Sequence, residues 1–215
     1  LNNFEVSTVA SSPELVRADP SQQLSRFAVI TDKAELGGMS GRPVVVDIGA
    51  NEDQNFAYWA QQCELDADLN EFGLHPVVFV VFTAEQEAIE KALEAVESVG
   101  RALPSAHVVL VENQRFGAIG QLHPASSAHR AYAERLVPAA STTSYITMPK
   151  IPANSYARFE PHRLSFSRVV QMLPAEITEI TGLPRADAKI CRGDVAFFLA
   201  TMFEQFDQIF GGGNA

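Results

Sequence analysis

Carboxylates, an amide and small residues recur in this sequence directly behind short apolar runs. Asp47 closes the run Val44-Val45-Val46 and stands two residues before Gly49. A carboxylate there can hold Mg²⁺, directly or through water, because the ion takes oxygen ligands and keeps part of its hydration shell. It can equally cap a following helix, and spacing leaves both roles open. Asn113 follows Val109-Leu110-Val111-Glu112. Its amide offers both a donor and an acceptor, which suits the edge of a base. Spacing alone favours the plainer role of an Asn that turns the chain after a strand. Asp19 with Pro20, Thr83 and Pro149 are the other residues placed in this way.

Other chemistries find less support. Gly37-Gly38-Met39-Ser40-Gly41-Arg42 is glycine-rich, but a phosphate-cradling loop follows a strand, opens a helix and carries Lys-Ser or Lys-Thr. This stretch precedes a strand-like run and its Arg42 meets Pro43, so it reads as a connector; no GxxxxGK[ST] occurs in the chain. The histidines at 75, 107, 123, 129 and 162 form no metal pair at helical spacing. Cys63 and Cys191 lie far apart and read as reduced thiols rather than a disulfide framework. No G-x-S-x-G and no Cys–His set points to a nucleophilic hydrolase.

The elements that must position these residues alternate. Segment 44–48 is continuous and rich in β-branched residues, which is the pattern of a strand buried on both faces. Segments 77–82 (VVFVVF) and 107–111 (HVVLV) repeat it, 144–148 (SYITM) is weaker, and 15–18 reads as a remnant of another strand. Helices are expected over 53–69, 84–103, 126–136 and 195–210. The second is the clearest, with Ile89, Leu93, Val96 and Val99 on one face. Segment 150–194 holds Pro152, Pro161, Pro174 and Pro184 and reads as loops and short helices over the sheet's carboxyl edge. This order predicts an α/β fold: one domain over 1–210, mostly parallel, with helices on both faces and a flexible 211–215 tail. In such sheets ligands bind at the carboxyl ends of the strands, which is where the residues above fall.

Apolar residues make up 47% of the chain, which is globular rather than disordered composition, and no run approaches the ~20 apolar residues of a membrane span. Nothing at the N-terminus reads as a signal peptide, so the expected compartment is the cytoplasm. The chain starts at Leu1 rather than Met, which suggests a removed segment or a fragment. A net charge of −10 disfavours avid nonspecific DNA binding. Arg158, His162, Arg163 and Arg168 are the densest basic set and the only candidates for a DNA or partner face; solvated surface charge explains them better.

The order of motifs resembles the ParA/MinD-type deviant-Walker P-loop ATPases, nearest to their plasmid conjugal-transfer and plasmid-stability branch. Ala18-Asp19-Pro20-Ser21-Gln22 through Phe27 is similar to that family's D-x-D-P-Q segment, with Arg17 where the first acidic residue stands. Val44-Val45-Val46-Asp47-Ile48-Gly49-Ala50 resembles the strand that carries its metal-side aspartate and opens the second switch, without the usual switch proline. Segment 109–117, ending its strand in Asn113, resembles the strand that contacts adenine, and 146–152, with Pro149, resembles the loop beside the base.

The resemblance implies ATP and Mg²⁺ as ligands, with Asp19, Asn113 and Pro149 on the nucleotide and Asp47 on the metal. It implies a homodimer and a switching role in plasmid partition, stability or conjugal transfer. The family's first strand, P-loop and first helix would precede residue 15 and are missing from the sequence, so this chain is expected to bind ATP weakly or not at all. That strand is central in the family, so its neighbours should be left with unpaired edges and the chain should be marginally stable. Two alternatives stand beside this reading. One is a non-catalytic interaction module that contacts a protein through 195–210; the other is an unrelated doubly wound α/β enzyme.

Overall fold

The computed structural model describes residues 22–49, 52–140 and 143–211. Asp19, Pro20, Ala50 and the 15–18 segment lie outside the described residues, as does most of the 211–215 tail. The described residues contain a three-stranded parallel sheet and helices, which makes the chain α/β. Strands β1 (Val77–Phe82), β2 (His107–Asn113) and β3 (Ser144–Met148) lie in sequence order, β1-β2-β3. β2 pairs β3 in parallel, with Val111 opposite Ile146 and Asn113 opposite Met148. The chain divides into two compact units whose boundary runs through β1, the helix after it, and β2.

The first unit comprises residues 1–78 and 93–108. Helix α1 (Ala28–Ser40) ends at Gly41, whose φ of 64° suits a residue without a side chain. The helix expected over 53–69 is two helices, α2 (Asp53–Gln62) and α3 (Leu65–Glu71). Glu64, at φ 54°, breaks it. The break lets Leu65 and Leu69 of α3 turn into the same core as Trp59 and Ala60 of α2. Phe27, Phe56 and Trp59 form an aromatic triangle with centroids 5.6–6.0 Å apart. Val99, Ala102 and Leu103 from the end of α4 (Gln86–Ala102) complete that core. Asp66 fixes the approach to β2 by accepting hydrogen bonds from the Ser105 hydroxyl at 2.7 Å and backbone N–H at 3.1 Å.

Segment 44–48 does not form the buried strand that its composition predicts. It belongs to no sheet among the described residues, and Val44, Val45 and Val46 are 39%, 80% and 44% exposed. A β-branched run favours the extended backbone on its own, but burial on two faces requires strands on either side. Only Ile48 packs against the core of this unit.

The second unit comprises residues 79–92 and 109–215. Helix α5 runs over 127–139 and takes π-helical hydrogen bonding through Ala131–Leu136. Ser126 caps its start by accepting from the His129 N–H. Of the 150–194 segment expected as loops and short helices, 150–181 is so, including α6 (Phe166–Gln171) and α7 (Pro174–Thr181), but 185–194 belongs to a long helix. Helix α8 (Arg185–Phe210) begins ten residues before the expected 195. The charged residues of 185–194 hide its start from a reading of hydrophobicity, but Ala188, Cys191 and Val195 already follow helical spacing and are buried. They pack with Phe159, Val169, Met172 and Ile177 into a core of their own.

Helices cover both faces of the sheet within this unit. Phe82 stacks on Tyr132 of α5, while Phe79, pointing the other way on the same strand, meets Phe206 and Phe210 of α8. Among the described residues β3 is an edge strand, and α8 closes part of that edge. The Gln205 amide accepts from the Thr147 N–H at 2.6 Å and donates to the Thr147 carbonyl at 2.7 Å, as a neighbouring strand's backbone would.

Candidate functional site

The parallel register carries Asn113 and Pro149 to the same carboxyl edge, because Asn113 sits opposite Met148, the residue before Pro149. Both are half-buried. The Asn113 side-chain oxygen accepts from the Arg115 N–H at 3.1 Å and caps the short helical turn Gln114–Phe116. Asn113 therefore turns the chain, and its Nδ2 is the group that would meet an acceptor on a base. Thr83, behind β1, donates from its hydroxyl to Glu85 at 3.0 Å.

Asp47 is exposed in the unpaired 44–48 segment and belongs to the first unit, whereas Asn113 and Pro149 belong to the second. Among the described residues no group of three or more His, Cys, Asp or Glu converges as a metal site. The basic set is on the surface: Arg158, His162, Arg163 and Arg168 are exposed, and Arg168 lies 3.5 Å from Glu176. Each unit bears a shallow cleft. One of about 230 Å³ lies between α4 and α5, lined by Glu90, Arg130, Glu134 and Arg135. One of about 340 Å³ lies between α2 and α4, lined by Tyr58, Gln61, Glu94 and Arg101. Both stand at or below the lower end of the ~300–1,000 Å³ usual for small-molecule sites.

The most developed polar cluster is one that motif spacing does not reveal. Glu112, one residue before Asn113, is only 5% exposed. Its Oε1 accepts from the Ile119 N–H at 2.8 Å and from the Gln114 amide at 3.5 Å, and its Oε2 accepts from the Tyr145 hydroxyl of β3. The Tyr145 ring is 41% exposed, but its hydroxyl turns inward beside Phe82 and Tyr132. Burial first, then the bond to Glu112, then Tyr132, push the Tyr145 phenol well above its usual range, so it stays protonated and donates. Tyr132 stands on the π-helical turn of α5, a geometry frequent near functional sites.

The cluster ties β2, β3 and the 114–122 loop together directly behind the carboxyl edge. It can hold that loop in one conformation, with a carboxylate and a phenol as its only titratable contacts across the strands. The sequence does carry a signal for it: a carboxylate inside the continuous apolar run VVLVE must find partners if the strand is buried. The first unit holds a smaller charged pair. Glu52 accepts from Asn55 at 3.0 Å and pairs with Arg26, and these contacts hold its carboxyl below the usual range.

Comparison with protein-family models, with curated proteins and with solved structures returns no match to this chain.

Proposed function

We propose that this chain is the part of a ParA/MinD-type nucleotide-switch ATPase that holds the base-side edge of the sheet and the metal-side aspartate, acting in plasmid partition, stability or conjugal transfer. One observation carries the reading. Segment 44–48 has the composition of a strand buried on both faces yet lies exposed and unpaired, and β1 is an edge strand among the described residues. A sheet that lacks, among the described residues, one central strand would account for both. In the family that strand leads into the P-loop.

The roles follow from the chemistry. The Asn113 amide would read the adenine edge, with Pro149 beside the base, and exposed Asp47 would take a place in the hydration shell of Mg²⁺. ATP and Mg²⁺ would bind tightly only once a glycine-rich loop and a helix N-terminus aim backbone N–H groups at the phosphates. The Glu112–Tyr145 cluster would support the site by fixing the loop after Asn113.

The test is calorimetry with Mg²⁺-ATP on this chain and on one extended upstream through the coding sequence. The expected result is no micromolar binding by this chain, and micromolar binding by an extended chain bearing a K-G-G-x-G-K-[ST]-type loop, lost in Asn113→Ala. Equal binding by both chains, or an upstream sequence with no such loop, would overturn the proposal.

A second reading is a non-catalytic interaction module. The large aromatic residues that α8 turns to solvent favour it. It predicts an extended chain that binds no nucleotide.

A further inference from the structure

The loop that leaves β2 is bonded along its length. The backbone N–H groups of Arg115, Ala118 and Ile119 donate to the side chains of Asn113, Gln121 and Glu112, at 3.1, 3.2 and 2.8 Å. Those of Gly117, Gln121 and Leu122 donate to carbonyls within the loop. Gly117, at φ 108°, ends the 114–116 turn in a conformation that a side chain disfavours. Phe116 is the one aromatic residue of this loop, and it is 61% exposed. A lone apolar residue on a surface is ordinary. One held out by a loop with this many internal bonds is presented as a fixed face, and a rigid aromatic loses little entropy on binding.

What lies around the ring indicates the ligand. Phe116 is the third residue of the turn that Asn113 caps, and side chains three apart eclipse in a 3-10 turn, which sets the ring on the side of the Asn113 amide. The Asn113 oxygen is engaged by the Arg115 N–H, so the amide meets a ligand as a donor through Nδ2. The Arg115 guanidinium lies 5.4 Å from the Phe116 centroid, over one face of the ring. A planar ligand stacked on the other face would extend a guanidinium–aromatic column. Pro149 and exposed Lys150 follow the end of the neighbouring strand, where Met148 pairs with Asn113. A stacking face, a donor beside it and nearby cations are the means by which single bases are held.

We propose that Phe116 is the stacking platform for a purine base whose edge accepts from Asn113 Nδ2. The proposal rests on the base-side part of the reading above and adds to it the residue that holds the face of the base. It requires no phosphate-binding loop, so this chain should bind an unphosphorylated nucleoside.

Adenosine is the probe, titrated at millimolar concentrations into the full chain and followed by NMR, with urea midpoints confirming that each variant folds. Amide shifts are expected at 113–117 and 149–150, with upfield ring-current changes on the adenine protons, and ribose 5-phosphate should produce none of them. Phe116→Ala should weaken adenosine binding roughly tenfold, while Phe116→Trp keeps it. No shifts at this edge, the same shifts with ribose 5-phosphate, or unchanged affinity in folded Phe116→Ala would each overturn the proposal. The ATPase reading fails separately. If an extended chain binds no Mg²⁺-ATP while this chain binds adenosine through Phe116, that reading falls and the stacking role stands. If the extended chain binds Mg²⁺-ATP, loses it in Asn113→Ala and keeps it unchanged in Phe116→Ala, only the stacking role falls.

Discussion

Tyr145→Phe removes a single oxygen and leaves a buried carboxylate short of a partner. In the native chain both Glu112 oxygens are engaged, Oε1 by Ile119 and Gln114 and Oε2 by Tyr145, at a residue only 5% exposed. Hydrogen bonds to a charged group contribute about 1.5–3 kcal/mol, and a stranded buried acceptor costs a similar amount. The expected loss is therefore about 1.5–3 kcal/mol, seen in the urea midpoint with an unchanged slope. For a chain of this length it corresponds to a fall in Tm of roughly 3–12 °C.

Glu112→Gln supplies the matching arm of a double-mutant cycle. In that background the loss of the phenol strands a neutral amide rather than a carboxylate, so Tyr145→Phe should cost at least about 1 kcal/mol less. The cycle also has a pH signature. Because the folded state raises the Tyr145 pKa, it holds the phenolic proton more tightly than the unfolded chain does. The linked stability is complete below the usual tyrosine range, about pH 10, and is lost as pH rises beyond it. Native protein should thus lose stability more steeply above about pH 10 than Tyr145→Phe, which has no phenol at that position. A Tyr145→Phe variant within about 0.5 kcal/mol of native, or strict additivity with Glu112→Gln, would refute the view that this cluster is a working brace behind the carboxyl edge.

Val45→Lys should change the stability of this chain by less than about 0.5 kcal/mol, since Val45 is 80% exposed. In a chain extended to include the proposed central strand it should cost several-fold more, about 2 kcal/mol or above, and chemical denaturation of the two chains compares them directly. Gln205→Ala should cost about 1–3 kcal/mol by releasing the Thr147 N–H and carbonyl on the edge of β3, and should raise light scattering on storage. Burial raises the Cys63 thiol above its usual range, so labelling of native protein by a thiol reagent should accelerate only at correspondingly alkaline pH. Cys191, only 7% exposed, should react on unfolding. Arg26→Ala should cost about 1–3 kcal/mol through loss of its pairing with Glu52 and its stacking over Phe27, measured by thermal unfolding at neutral pH.

Local sequence determined a good deal of this protein. VVFVVF, HVVLVEN and SYITM are strands, the helix after β1 follows its apolar face, and the proline-rich 150–181 region is short helices and loops. Those signals were legible because backbone preference and face periodicity reside in neighbouring residues. Where Asn113 and Pro149 sit could also be read, since a parallel sheet with helical crossovers brings its carboxyl ends to one edge.

Tertiary structure alone decided the rest. Segment 44–48 has the composition of a core strand, yet burial depends on strands beside it, and the described residues provide none. The break at Glu64 and the early start of α8 at Arg185 follow from which side chains find a core, and hydrophobic totals over a window do not record that. In the sequence Glu112 ends the apolar run VVLV. Only the pairing of β2 with β3 brought it to Tyr145 and made a buried, fully engaged carboxylate of it. Sequence determines what each segment prefers; contacts between distant segments determine which preferences are satisfied, because burial and hydrogen bonding belong to pairs of segments rather than to any one of them.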